Sequence, residues 1–288
     1  MKFGNFELYV LDDGTFRLDG GAMFGVVPKT LWTRVMTHDE RNRIPMTSNT
    51  LLIKTGSENI LIDTGCGGKW QDKESDMFAM QTPRQLVTEL LRVDLRAEDI
   101  THVIQTHLHF DHAGGGTFID REGNLKVQFP NAKYYVQRGE WEVAQNPNLR
   151  DRRSYKPENL LPLKEEGVLE LVDGDVEVLP GIRFRITGGH TKYHSIIEIE
   201  SEGNKCVFLG DLIPKSAHLP IPYIMAYDLY PTETMEYKTT FLREAFEGKY
   251  LLVFEHGVEN KAGRLIQDAK GRFSLEAVDM EAETYSVT

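Results

Sequence analysis

The sequence predicts an α+β protein: two β-sheets packed as a sandwich and covered by helices. Three observations carry this. Candidate strands come in two batches, one before residue 137 and one from residue 169 to 209. Helical patterns lie between and after them, which suits stacked sheet and helix layers. No repeat, low-complexity linker or composition break divides the chain, so residues 1–288 are expected to form one domain. Its length and its 40% hydrophobic content allow a substantial buried core.

The elements follow in order. Phe6 to Leu11 alternates apolar and polar residues and reads as a strand, ended by the turn signal Asp12-Asp13-Gly14. Thr15 to Ser48 shows no clean period and reads as a long loop, its apolar residues lining a pocket, sealing a core edge or forming a dimer contact. Thr50–Lys54 and Asn59–Ile62 read as a hairpin around Thr55-Gly56-Ser57-Glu58. Thr82-Pro83-Arg84-Gln85 has the form of a helix start: a capping threonine, proline at the first position and glutamine closing a capping box. Leu86, Leu90 and Leu91 mark the apolar face, with Val87 beside it.

A short strand over His102–Gln105 comes next, with His102 read as structural. Ala132–Val136 reads as a strand and Glu140–Ala144 as a short helix. Asn146–Lys164 is polar and reads as a surface excursion or small lid. Strands are expected at Glu170–Val172, Val176–Leu179, Ile182–Ile186, Ser195–Glu200 and Lys205–Leu209, punctuated by glycines. Pro231–Phe246 reads as a helix, Tyr250–Phe254 as a strand, and Phe273–Leu275 as a weak closing strand.

Composition excludes several functions. The net charge of −11, with no basic stripe, leaves no electrostatic footprint for nucleic acid. No apolar run approaches the length of a membrane span, so no membrane partner is expected. The two cysteines, Cys66 and Cys206, are far apart, and the N-terminal residues lack the pattern of a secretion signal. A reducing, cytoplasmic setting is the simplest expectation.

The chemistry concentrates in Thr106-His107-Leu108-His109-Phe110-Asp111-His112, which directly follows an apolar strand. Divalent zinc-like ions favour imidazole nitrogen and carboxylate oxygen, and this run offers four such side chains. One cluster cannot close a site. His190 in Thr187-Gly188-Gly189-His190, Asp211 in Leu209-Gly210-Asp211 and His256 in Glu255-His256-Gly257 each follow a strand and sit beside glycine. Asp63 ends the strand before Thr64-Gly65, where it can cap the turn, support a metal-ligating histidine, or do both.

This H-x-H-x-D-H run, the Gly-Gly-His, the Gly-Asp and the late histidine resemble the metallo-β-lactamase superfamily. The resemblance implies an αβ/βα sandwich with two divalent metal ions at one sheet edge. Zinc leads, with iron, manganese or cobalt as alternatives. By that resemblance His107, His109 and His190 hold the first ion, and Asp111, His112 and His256 the second. Asp211 bridges them and Asp63 supports the ligands from behind. His112 and Asp211 stand where β-lactam-cleaving members carry arginine and cysteine. His109 stands where redox di-iron members carry glutamate.

A finer resemblance is to YtnP-type quorum-quenching lactonases. It rests on Gly20 to Lys29, on Asp211-Leu212-Ile213-Pro214 with His218, and on Ala226-Tyr227-Asp228. It implies a small-molecule partner, an N-acyl-homoserine lactone or related ester, and leaves room for a homodimer. Aryl esters, phosphotriesters and sulfur dioxygenation are the alternatives on this fold. Asp111 would be catalytic, orienting the nucleophile and carrying its proton to the leaving alkoxide. Pro214 replaces a lactone-contacting tyrosine of better-known lactonases. His218, Tyr223 and Tyr227 are candidates for that contact, and Met23 and Phe24 are candidates for holding an acyl chain.

Overall fold

The computed structural model describes residues 1–81 and 84–280. Its first strands are β1 (Lys2–Phe3), β2 (Phe6–Asp19), β3 (Arg43–Lys54), β4 (Asn59–Ile62), β5 (His102–Ile104), β6 (Thr117–Ile119), β7 (Leu125–Val127), β8 (Lys133–Gln137) and β9 (Leu169–Val172). The later strands are β10 (Glu177–Leu179), β11 (Ile182–Ile186), β12 (Ser195–Ser201), β13 (Asn204–Phe208), β14 (Leu251–Val253), β15 (Ala262–Gln267) and β16 (Phe273–Ala277). Among the described residues they form two seven-stranded sheets, in the orders β1-β2-β3-β4-β5-β8-β9 and β10-β11-β12-β13-β14-β15-β16, with β6 and β7 as a separate ribbon.

Strand alternation explains how the layers stack, because successive side chains point to opposite faces. Leu51, Ile53, Ile60 and Ile62 face inward and meet Phe184, Ile197, Ile199 and Phe208 of the other sheet. Leu52 and Leu61 face outward, under Leu86, Leu90 and Leu163. Ile196, Val207 and Leu252 face outward on the second sheet, under Phe241, Leu242 and Ala245. These covering residues belong to Leu86–Leu91, Pro157–Glu165 and Pro231–Glu247, three of the helices in the chain. Strands buried on both faces read as continuous apolar runs, as Leu51-Leu52-Ile53 does. Each such side chain contributes about 1.5–3 kcal/mol by leaving water.

The long loop expected over Thr15–Ser48 is overturned. β2 continues to Asp19 and β3 begins at Arg43, paired from Thr15↔Thr47 to Asp19↔Arg43. Asp12-Asp13-Gly14 is a bulge, a register shift between Asp12 and Thr15, and not a strand end. The Asp13 carboxylate is buried by the bulge. It pairs with Arg84 at 2.9 Å and accepts from the Gly67 and Leu86 backbone N–H groups.

The helix start read at Thr82 and Pro83 lies outside the described residues. The observed helix spans Leu86–Leu91, with Gln85 preceding it and making no side-chain cap. Asp13 takes that role through Leu86 N–H. Leu86 and Leu90 are buried as expected, but Leu91 and Val87 are exposed. The second half of Asn146–Lys164 is helical, Pro157–Glu165, and buries Leu160 and Leu163. No helix among the described residues is long and apolar enough to cross a membrane.

Candidate metal centre and its cavity

Five strand ends meet at one end of the sandwich. Residues after β4, β5, β11, β13 and β14 supply Asp63, His107, His190, Asp211 and His256 respectively. A short helical turn, Phe110–Ala113, adds Asp111 and His112 immediately after His109. The turn fits because Gly114 and Gly115 let it approach the 64–67 loop. A Cβ at Gly114 would lie 2.1 Å from Cys66 O, and one at Gly115 would lie 2.1 Å from Thr64 O.

All seven candidate ligands are buried and converge. His107, His109 and His190 form one compact group, and Asp111, His112 and His256 another. Asp211 lies between them. Its Oδ2 is 3.0 Å from His190 Nε2, 3.5 Å from His112 Nε2 and 3.9 Å from His107 Nε2. Its Oδ1 is 3.2 Å from His256 Nε2. Asp111 spans the second group, 3.9 Å from His112 Nε2 and 3.7 Å from His256 Nε2.

The outer edges of the rings are held. His107 Nδ1 meets Thr106 Oγ1 at 3.2 Å, His112 Nδ1 meets Asp63 Oδ2 at 3.0 Å, His190 Nδ1 meets Asp228 Oδ1 at 3.0 Å, and His256 Nδ1 meets Thr47 O at 2.7 Å. Such contacts fix ring orientation and leave Nε2 as the inward lone pair. Accordingly Nε2 of His107, His112 and His256, together with Asp211 Oδ1, are buried atoms without a hydrogen-bond partner, while His109 turns the other way and points Nδ1 at His190 Nε2, 3.1 Å away. Buried polar atoms are rarely left so, and a cluster of them fits a cation.

The electrostatics agree. Burial, reinforced by the neighbouring rings, pushes His107 and His109 well below the usual histidine range, into the neutral form a metal requires. Burial also opposes charge on His112, but Glu255, Asp211 and Asp111 outweigh it and hold the ring well above its usual value. Burial likewise opposes charge on Asp211, and His190 with His112 outweighs it, holding the carboxyl well below its usual range. The carboxylates therefore call for positive charge at the centre, which divalent ions suit.

Four supporting residues carry no local signal of this role in the sequence, although Asp228 belongs to the Ala226-Tyr227-Asp228 run noted above. His194 accepts the Asp211 N–H on Nε2 at 2.9 Å and meets Thr187 Oγ1 at 2.6 Å. Asp228 orients His190. Glu140 accepts from Leu108 N–H, Tyr155 O–H and Thr191 O–H, tying the motif loop to a neighbouring helix. Glu255 Oε2 joins Asp63 at the back of His112. Asp63 itself adopts φ +57°, uncommon for an aspartate. Its carboxylate goes to Thr106 N–H at 2.7 Å, Thr106 O–H at 2.6 Å and His112, and not to its own turn.

The centre floors a cavity of about 330 Å³ whose walls include Leu18, Met23, Phe78, Phe110, Met225 and Tyr227, with Arg150, Asp151, Arg153 and Ser154 along the 146–156 segment. Of the substrate-side candidates, Met23 and Tyr227 line it. Phe24, His218 and Tyr223 do not line it, which corrects their expected role. His218 Nε2 donates to Met23 O at 2.9 Å, and the ring stacks on Phe24 with centres 4.5 Å apart. Tyr223 packs edge-on against Phe24 in the same cluster. These three support the wall from behind.

A sequence model of the Metallo-beta-lactamase superfamily matches residues 43–256. The N-acyl homoserine lactonase of Bacillus cereus is 33% identical over 168 residues, which are 55% of this chain and 60% of that protein. A lactonase from Rhizobium rhizogenes, AiiB, is 28% identical over 46% of this chain and 52% of its own. The chain thus spans about 60% of the length of the first curated relatives it matches. A Staphylococcus aureus structure, described as a probable metal-dependent hydrolase, superposes with a TM-score of 0.88 at 34% identity, covering 97% of this chain and 100% of that one. The quorum-quenching lactonase AidC superposes with a TM-score of 0.77 at 23% identity, covering 97% of each chain, and shares the fold.

Proposed function

The chain belongs to the metallo-β-lactamase superfamily, and from that premise we propose that it is a metal-dependent hydrolase that opens the lactone ring of N-acyl-homoserine lactones. One observation carries the reading: two convergent groups of buried histidine and aspartate side chains, joined by Asp211 and with several ligand atoms left unpartnered, floor a cavity with largely apolar walls. The relatives named as lactonases support the substrate class.

His107, His109 and His190 would hold one divalent ion, Asp111, His112 and His256 a second, and Asp211 both. Zinc suits this nitrogen-rich donor set. When bound, the ions supply Lewis acidity, lowering the pKa of water and polarising an ester carbonyl. The protein supplies the rest. Asp111 accepts a proton from the attacking water and passes it to the ring oxygen as the acyl C–O bond breaks, leaving an alcohol and a carboxylic acid that releases its own proton to solvent. Met23, Phe78, Phe110 and Met225 form an apolar wall for an acyl chain. Tyr227, half-exposed at the cavity, can offer its hydroxyl to the lactone in place of the tyrosine that Pro214 replaces.

The test is a panel of N-acyl-homoserine lactones, aryl esters and phosphotriesters, assayed on protein loaded with zinc, manganese, cobalt or iron. Lactones should give the highest kcat/KM. A preference for phosphotriesters or aryl esters would move the enzyme to another branch of the family. Oxygen uptake with the iron form alone would replace hydrolysis with sulfur oxidation.

A further inference from the structure

A lysine interrupts the apolar face of the helix Pro231–Glu247. That face buries Thr234, Lys238, Phe241, Leu242 and Ala245, and Lys238 is 0% exposed. Taking an ammonium out of water is costly, and replacing a buried charge by a well-packed apolar side chain is often neutral or stabilising. Stability of the helix alone therefore does not call for a lysine here.

What the lysine holds is a turn. Lys238 Nζ donates to Pro220 O at 2.9 Å, Tyr223 O at 2.9 Å and Ile221 O at 3.5 Å, three acceptors for its three N–H bonds. Tyr223 N–H closes the turn on Pro220 O at 2.9 Å. Pro220 and Pro222 carry no N–H, so the carbonyls of this segment depend on a donor from elsewhere in the chain. Burial pushes Lys238 down to about 7, and the charge of Asp228 opposes that.

The turn leads straight into the cavity wall. Met225 and Tyr227 line the cavity, and Lys238 does not. The far end of the same segment is docked independently. Leu229 N–H donates to His190 O at 3.1 Å and Tyr230 N–H to Gly189 O at 2.8 Å. The Arg150 guanidinium donates to the backbone carbonyls of Ala226 and Asp228, and Asp228 orients His190. Lys238 thus fixes the near end of the wall segment, while the end that supports a metal ligand has its own ties.

We propose that Lys238 is a positioning residue for substrate recognition: by holding the Pro220–Tyr223 turn it sets where Met225 and Tyr227 stand on the cavity wall, and so acts on binding and not on bond cleavage. This rests on the lactonase reading above and adds to it a residue outside the cavity. A contact made equally with substrate and transition state appears in KM and leaves kcat unchanged. Loss of the lysine should therefore separate the two constants.

The experiment compares zinc-loaded wild type with Lys238→Met, Lys238→Arg and Ala245→Gly, the last a destabilising change about two turns along the same helix. Turnover of N-hexanoyl-homoserine lactone, amide hydrogen exchange and zinc affinity by chelator competition are measured on each. Lys238→Met should raise KM about 10-fold, keep kcat and zinc affinity within about threefold, and speed exchange over residues 220–227. Lys238→Arg, which keeps the donors, should recover part of the KM. Ala245→Gly should lower Tm and leave KM unchanged. A Lys238→Met loss that falls on kcat or zinc affinity, or that Ala245→Gly reproduces, would overturn the proposal. Unchanged exchange over 220–227 would overturn it whatever the substrate. If wild type opens no lactone, the lactonase reading fails by itself. The same split, read on p-nitrophenyl octanoate alongside the exchange, then decides the role of Lys238.

Discussion

Glu255 Oε2 lies 2.7 Å from His112 Nδ1, the nitrogen that Asp63 Oδ2 also reaches at 3.0 Å. One imidazole edge thus faces two buried carboxyl groups. Burial, with Asp63 alongside, pushes the Glu255 carboxyl well above its usual range although His112 pulls it down. Glu255→Gln keeps the volume and removes the carboxyl. It should weaken metal binding about 10- to 100-fold, read by competition with a chromophoric chelator. Unchanged affinity would show that Asp63 alone orients the ring.

Asp111→Asn should leave the fold close to wild type, weaken the second ion's site, and lower kcat by about 10²- to 10⁴-fold even when metal is supplied in excess. Stopped-flow turnover and elemental analysis on the same preparation test it. Full activity with metal bound would remove Asp111 as the proton carrier.

Elemental analysis of purified protein should find about two divalent ions per chain. Chelation should abolish turnover and lower Tm, since a ligand bound only to the folded state stabilises it, by about 4 kcal/mol at a thousand times its Kd. A chelated protein that melts like the untreated one would separate the histidine cluster from metal binding.

Burial pushes His218 down to about 3, with Lys238 and Lys215 adding to the effect and the Met23 carbonyl opposing it. The unfolded chain takes up that proton near pH 6.5 and the folded chain does not. Stability from this residue is therefore complete above pH 6.5 and falls as the pH drops towards 3, by up to about 1.4 kcal/mol per unit. His218→Phe retains a ring for Phe24 and cannot titrate. Urea unfolding of the chelated proteins at pH 7 and pH 5 should show a smaller acid loss in the variant, and an identical loss would rule His218 out as a source.

The parts of the site legible in the sequence are those that are local or repeated in form. His107 to His112 is dense enough to be seen alone, and His190, Asp211 and His256 share a strand end beside glycine. The supporting residues share no such form. Glu255 reads as one polar residue after an apolar strand, Glu140 as a helix surface charge, and His194 and Asp228 as loop residues. Their roles exist only through partners distant in the chain, 38 residues away for Asp228 and His190. The fold is legible where strands are apolar on both faces. It is hidden at Asp12-Asp13-Gly14, where a bulge carries turn residues, and at β15, where Ala262-Gly263-Arg264 lacks the alternation of a strand.

Arg150 grips the backbone of Asp228, and the side chain of Asp228 holds His190. The rim of the cavity and one ligand at its floor are thus a single mechanical piece. A change at the mouth made to admit a different acyl chain will also be felt as a change in metal retention. Variants selected for new substrates should accordingly be sorted by whether they still hold their ions, before any difference in rate is assigned to recognition.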